Sequence, residues 1–262
     1  MRRVAGALSG VFVMAAILAV WQWRATARPV FFLPAPSAIW DRLRGDWLSG
    51  PASHLFVSGT AWSAISQTFQ TAIGGWLIAS CAGIVAGAVI GAVPAARDYT
   101  GAPLLLLRST PPIVVVPLSI AVLGVGTAMH LTVVVFSCVW PVLLNTASGV
   151  ADIEPLQVDV ARLNRLGPVR RFFRVLLPAA SPKMFAGLRV AMSLAIVLSV
   201  GSEMFAGAGG LGGAALQAQN TFDVPALWAT LAVLALFGVL FNALFLVIEK
   251  YALRWHVLRS TQ

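Results

Sequence analysis

DIEPLQVDVARLNRLGPVRRFFRVLLPAASPKMFAGL, residues Asp152–Leu188, carries five arginines and Lys183 between two apolar stretches. A helix needs about 20 apolar residues to cross the hydrocarbon core of a bilayer. Ser109–Ala151, before the stretch, has no Lys, Arg, Asp or Glu, and Met184–Phe205 at its end is apolar enough to cross. The charged stretch therefore reads as a loop between membrane spans. The fold class that follows is an all-α integral membrane protein of about six transmembrane helices, with this loop, residues 152–182, between spans four and five.

Composition agrees. Of 262 residues, 59% are hydrophobic and 10% charged, against about 25% charged in soluble domains. The excess apolar surface must face lipid. A net charge of +9 raises nucleic acid as a partner, but the basic residues lie scattered between apolar runs and form no basic stripe. Cys81 and Cys138 sit inside apolar runs without metal-ligand or disulfide spacing, and read as buried packing residues.

The first span is expected over Val4–Trp23 behind Arg2 and Arg3. Ala25-Thr26-Ala27 resembles a signal-peptide cleavage site, but the run is longer than the about 7–15 residues of a signal-peptide core. Trp21, Trp23 and Arg24 form an interfacial anchor, so a retained span is the reading adopted. Pro34 and Pro36 make the next segment start extended. This gives two regions: residues 1–61, a first span with an extended and amphipathic periplasmic segment, and residues 62–262, the membrane core.

SGTAWSAISQTFQ (58–70) reads as an interfacial lead-in, and Thr71–Val93 as the second span, ended by Pro94 and Arg97-Asp98. Gly74, Gly75, Gly83, Gly87 and Gly91 on it allow close approach of a neighbouring helix. Ser109–Ala151 is long enough for two crossings, with a turn at Gly124-Val125-Gly126-Thr127 and a first crossing broken by Pro111, Pro112 and Pro117. The fifth span is followed by a glycine-rich turn from Gly207, and Val224–Ile248 is the sixth. With both termini inside, 14 of the 18 basic residues lie at or near the cytoplasm, which favours that orientation by the positive-inside rule.

Within the charged loop, Leu156, Val160 and Leu163 recur at i, i+4 and i+7, one face of a helix. Asp159, Arg162 and Arg165 project elsewhere. Gly167-Pro168 interrupts this helix, and Val169–Leu177 starts a second one that Pro178 is expected to stop. A short amphipathic basic helix suits docking into a groove on a partner protein. It equally suits lying on anionic lipid.

The loop, together with LPAASPKMFAGLRVAMSLA at its end, resembles the EAA loop of ABC importer permeases of the binding-protein-dependent kind. More narrowly the chain looks like the nitrate/sulfonate/taurine branch. Phe32-Leu33-Pro34-Ala35-Pro36-Ser37, Arg108-Ser109-Thr110-Pro111-Pro112 with Pro117, Pro141–Thr146, and Glu203-Met204 followed by Gly210-Leu211-Gly212 match its motifs in order, over residues 31–255. Aligned without gaps from Leu177-Pro178-Ala179-Ala180, the Glu-Ala-Ala triplet falls on Asp159-Val160-Ala161 and the usual glycine becomes Arg165. Anchoring on Leu166-Gly167 needs a two-residue deletion and puts Ala161 where the Glu belongs. The ungapped version keeps the carboxylate and leaves Val160 on the apolar face.

The resemblance implies two permease copies forming the membrane unit, two ATPase subunits whose surface grooves receive the loop helices, and a periplasmic or lipid-anchored solute-binding protein. The chain has no G-x-x-x-x-G-K-[ST] motif, so ATP and magnesium would belong to the ATPase, with no cofactor or metal here. The coupling residues implied are Leu156, Asp159, Val160, Ala161, Arg162, Leu163, Arg165, Leu166 and Gly167. Asp159 is expected to meet a basic residue of the ATPase. Membrane lipid is the other partner, the inner cell membrane the location, and a sulfonate, nitrate, taurine-like or vitamin-precursor molecule the cargo.

Glu203 is the lone carboxylate of the fifth span, facing a cavity or capping the span end. Asn145, Glu203, Met204 and Leu211 are the candidate path residues. Arg108 and Arg189 are expected to snorkel to the interface, and the three histidines lack any ligand or relay spacing. An ion-gradient-driven secondary transporter would usually show mid-membrane charges and related halves. An intramembrane enzyme would need a nucleophile with a base, and Ser80, Ser137 and Ser193 have no such partner in the sequence.

Overall fold

The computed structural model describes residues 2–51, 57–207 and 209–254, with backbone alone at 2–9, 11, 155, 158, 162, 168 and 169. Among them the chain is helical, and its one β feature is an isolated bridge between Val30 and Leu33. The helices are α1 (Arg2–Ala27), α2 (Pro36–Asp46), α3 (Gly59–Ala92), α4 (Pro94–Ser109), α5 (Pro112–Leu123), α6 (Thr127–Ala151), α7 (Pro155–Leu163), α8 (Pro168–Arg171), α9 (Leu177–Ala206), α10 (Gly210–Asn220) and α11 (Val224–Ala252). Four helices, α3, α6, α9 with its preceding π-turn, and α11, are long and apolar enough to cross a membrane.

The bundle is organised by α3, α6 and α9. A Cβ on Gly75 would sit 2.5 Å from Val134 Cγ1, one on Gly83 2.9 Å from Val142 Cβ, and one on Gly91 2.5 Å from the Ala147 carbonyl. The pairing rises in step along both chains, so α3 and α6 run parallel with backbones nearly touching. Small residues do this work in lipid, where apolar burial gives little drive for helix association. On the other side of α6, Gly149 faces Ala180 and Gly187 faces the Pro141 carbonyl, which makes α9 antiparallel to it. Phe237, Phe241 and Phe245 of α11 close the core over Val142, Ala191 and Ala195.

Because α3 and α6 are parallel, the chain between them must return across the bundle. The return is made by α4 and α5 together, bent by 85° at their junction. This corrects the expectation of a third span starting at Ser109. Alone, α5 has 12 residues and is about 18 Å long, too short to cross. The break lies at Thr110 and Pro111, both extended (ψ 121° and 127°), as residues preceding a proline must be. Arg97, Asp98 and Arg108 are consequently part of α4 itself. The following turn falls at Gly124 (φ 71°), where it was expected.

Three other expectations change. The polar segment 58–70 is not a separate lead-in but belongs to α3, capped at Ser58, whose Oγ accepts from Ala61 N–H at 3.3 Å. Pro178 does not stop a helix. A π-turn at Phe172–Leu176 passes the Leu177 N–H to the Phe172 carbonyl, and α9 continues through Pro178 and Pro182. The wider turn relieves the clash of a proline ring with the carbonyl four residues back. Cys81 is exposed while Cys138 is buried, its thiol 3.2 Å from the Ala191 carbonyl.

Gly87 faces the Leu143 carbonyl and Thr146 so closely that a side chain has no room. Gly87→Val should therefore force α3 off α6 and lower thermal stability in detergent by more than about 2 kcal/mol. Gly101→Ala, where nothing lies within 4 Å, is the control expected to leave the melting curve in place.

Candidate functional site

The two ends of the bundle carry different chemistry. At one end, α6 gives way to the charged loop. Asp152 caps α6 and forms an ion pair with Lys183 of α9, whose Nζ also donates to Ser148 Oγ at 3.1 Å. The Lys183 hydrogen bond and charge hold the Asp152 carboxyl below the usual carboxylate range, so its side of the clamp carries a charge at neutral pH. It closes the base of the loop. Arg189 of α9 pairs with Glu249 of α11 at the same end, a defined partner where snorkelling was expected.

Helix α7 stands on this base. Leu156, Val160 and Leu163 are 70%, 48% and 82% exposed. Ala161 is 3% exposed and turned inward. Asp159, Arg165 and Gly167 are exposed and Leu166 half-buried, and Asp159 is already engaged within the chain. The side chain of Arg162 lies outside the described residues.

The helix ends with the Leu166 N–H on the Ala161 carbonyl at 3.1 Å and Arg165 at φ 52°. This is the left-handed cap that normally takes glycine. Arg165 thus occupies a backbone conformation that suits glycine. Beneath α7, Phe172 and Leu176 of the π-turn pack on Ala88, Val150 and Ala180, anchoring the loop to the bundle.

At the other end lies Glu203, fully buried. Its Oε2 accepts from the Gly212 N–H at 2.9 Å, and Thr68 Oγ lies 2.9 Å from both carboxylate oxygens. Thr68 also accepts from Leu211 N–H at 2.8 Å, and Gln67 Oε1 from Gly210 N–H at 3.0 Å. Three consecutive N–H groups opening α10 are thus taken by side chains of α3 and α9, which satisfies donors that a helix start otherwise leaves orphaned. The Thr71 and Ser199 hydroxyls touch beside the carboxylate, and His130 Nδ1 lies 2.9 Å from Ser202 Oγ one turn away.

Gly210 (φ 66°) has no room for a Cβ against the Glu203 carboxyl, nor has Gly212 against the Val200 carbonyl. The glycine segment is therefore the start of a short helix seated on a carboxylate, not a simple turn, and with its donors taken it is not an anion site. Glu203 and Leu211, two of the path candidates, are wholly enclosed and offer no surface to a solute in this conformation. Met204 is half-buried. Asn145 is half-buried and donates to its own helix at Pro141 O, 2.8 Å.

Sequence reasoning missed Gln67, Thr68, Thr71 and Ser199. A carboxylate inside a span demands donors, and Thr68 and Thr71, spaced i, i+3 in an otherwise charge-free helix, were the available signal.

The profile of the family described as binding-protein-dependent transport system inner membrane component matches residues 79–254. The chain belongs to this family. It is the permease subunit of an ABC importer. The permease is 29% identical to nitrate import permease protein NrtB of Leptolyngbya laminosa, over 87% of this chain and 81% of the relative. It is 24% identical to taurine transport system permease protein TauC of Escherichia coli (strain K12), over 93% and 88%. The bicarbonate transport system permease protein CmpB of Synechocystis sp. (strain ATCC 27184 / PCC 6803 / Kazusa) is 29% identical over 75% and 71%. In fold it is similar to the inward-facing MetNI methionine ABC transporter, with a TM-score of 0.59 at 18% identity, covering 74% of this chain and 94% of that one. As a member of this family the permease is the inner-membrane component of a binding-protein-dependent transport system, and its apolar helices make it a multi-pass membrane protein.

Two outcomes test these geometries. Thr68→Val strips the shared hydroxyl from both Glu203 and the Leu211 N–H, and should destabilise the permease by about 1–3 kcal/mol, read as a lower melting temperature in detergent. Arg165→Gly removes the side chain from a left-handed position and should stabilise the loop by up to about 1 kcal/mol, read as slower hydrogen exchange over residues 156–166.

Proposed function

We propose that this permease imports a small hydrophilic anion of the nitrate, bicarbonate or sulfonate class, and that α7 is the element through which ATP-driven motion reaches the bundle. The observation that carries the second part is the exposed face of Leu156, Val160 and Leu163. It stands on a loop whose base is clamped by Asp152 and Lys183. Three large apolar side chains facing outward on one short helix are costly in water and suit a groove on another protein.

Force applied to such a helix has a rigid route inward. The Asp152–Lys183 clamp ties the loop to α6 and α9, and the π-turn seats on α3 and α6 through Ala88 and Val150. Leu156, Asp159, Val160, Ala161, Arg162, Leu163, Arg165, Leu166 and Gly167 are the proposed coupling residues, with the apolar three supplying the contact energy. Two permease copies and two ATPase subunits form the complex, and a binding protein delivers solute at the opposite end. The basic loop faces the cytoplasm, as the charge distribution favours, which puts the glycine end outside. ATP and magnesium are held by the ATPase alone. The anion class comes from relatives named for nitrate and bicarbonate; a third, named for taurine, handles a zwitterion that presents the same kind of oxyanion, a sulfonate.

Leu163→Glu places a charge on the proposed contact face. Co-purification with the ATPases encoded beside the permease should fall at least about tenfold, as truncation or charging of a buried anchor does, while membrane insertion and the melting curve stay unchanged. Undiminished ATPase recovery with Leu163→Glu would overturn the docking role of α7.

A further inference from the structure

At the glycine end, α3 and α10 enclose an open cleft of about 480 Å³. Its polar lining comes from Thr60, Ser63 and Gln67 on α3 and from Gln217 and Asn220 of α10 with its C-cap Thr221, and none of its lining residues is charged. The residues fall at i, i+3, i+7 on one helix and at i, i+3, i+4 on the other, so each contributes a single polar stripe. Stripes of this kind at the end of a membrane bundle face a water-filled space or a partner, since lipid would leave their hydrogen-bonding groups unmet.

The hydroxyls are largely committed. Ser63 donates to Thr60 O at 2.8 Å and Thr221 to Gln217 O at 2.9 Å. The carboxamides are not. Gln67 uses its oxygen on the Gly210 N–H, which leaves its NH₂ without a partner among the described residues. The side chains of Gln217 and Asn220 make no hydrogen bond there either. Three carboxamides thus line one concavity, and each offers two N–H donors without a fixed charge.

The adjoining cleft of about 780 Å³ shares Thr60, Gln217 and Thr221. Its cation, Arg42, is occupied by Asp46 at 3.2 Å and by Asp223. Recognition in this region therefore falls to neutral donors. That chemistry suits a transported anion, because a site on a path must bind well enough to admit the solute and weakly enough to release it. An unpaired arginine would hold it too long.

We propose that the α3–α10 cleft is a solute subsite at the outer mouth of the permease. There the amides of Gln67, Gln217 and Asn220 take a small hydrophilic anion by hydrogen bonds alone. The assignment rests on the importer reading above. It also gives α10 a purpose: the helix is fixed by Glu203 and Thr68 at its first turn, and its far end carries Gln217 and Asn220.

The test uses the complete importer in proteoliposomes, with binding protein and ATPases, and follows uptake of nitrate, bicarbonate and taurine in turn. Gln67 is left intact because it also holds α10. The double variant Gln217→Leu/Asn220→Leu should lower uptake about tenfold while the ATPase rate stimulated by the loaded binding protein stays within about twofold of wild type. Gln217→Asn/Asn220→Gln, which keeps both amides, should recover most of the uptake, and Gln219→Leu, exposed and outside both clefts, should change nothing. Normal uptake by the leucine pair overturns the subsite, and so does a parallel loss of ATPase stimulation, which would mark the pair as structural. Wild-type importer that carries neither nitrate nor bicarbonate overturns the anion reading itself, and is distinguished because the failure precedes any substitution.

Discussion

Backbone contact between α3 and α6 is the constraint on which the other helices depend. Gly75, Gly83, Gly87 and Gly91 let the α3 backbone lie directly against Val134, Val142, Thr146 and Val150 of α6, and the parallel course of the two helices forces the chain from Pro94 to Leu123 to recross the bundle. With α6 fixed, Gly149 and Gly187 seat α9 against its other face, and α11 lays its phenylalanines over the result. Packing of this closeness gives dispersion contact where lipid offers no hydrophobic incentive. A single added methyl group at Gly87 would therefore reach the whole arrangement rather than one side chain.

Both ends of the bundle solve the same problem, which is how to break a helix where unpaired backbone groups are costly. At the loop end, the π-turn carries the chain past Pro178 by reaching one residue further back for its carbonyl, and Arg165 accepts a left-handed conformation to close α7. At the glycine end, Gln67, Thr68 and Glu203 supply acceptors for the three opening N–H groups of α10. The first solution leaves an apolar helix face exposed for a partner. The second leaves the amides of α10 exposed in a cleft. The proposed coupling helix and the proposed solute subsite thus sit at opposite ends of α9, joined by 30 residues of helix.

The charged loop was legible because its information is local. The i, i+4, i+7 spacing of Leu156, Val160 and Leu163 and the prolines around them define the element without reference to anything distant. The turn at Gly124 and the glycine stripe on α3 were legible for the same reason. Pro178 was misread because a proline ends a helix only if the preceding carbonyl cannot be moved aside, and the π-turn moves it. The segment 58–70 was misread because a polar helix face looks the same in sequence whether it meets water, headgroups or another helix. Glu203 was singled out correctly as unusual, yet its surroundings were invisible: its partner Thr68 lies 135 residues away.

What the sequence by itself determined is the membrane-spanning helical class, the family, the amphipathic loop helix and the glycines on which close packing depends. These follow from composition, period and short motifs, all of which act over a few residues. What only the tertiary structure decided is which polar side chains pair, where the return crossing bends, and that α10 folds back beneath a buried carboxylate to open a cleft. The physical reason is that lipid and protein interior are alike to an apolar side chain. Hydrophobicity marks a residue as membrane-embedded but carries no record of which neighbour it meets, and hydrogen bonds between helices distant in sequence leave no local trace.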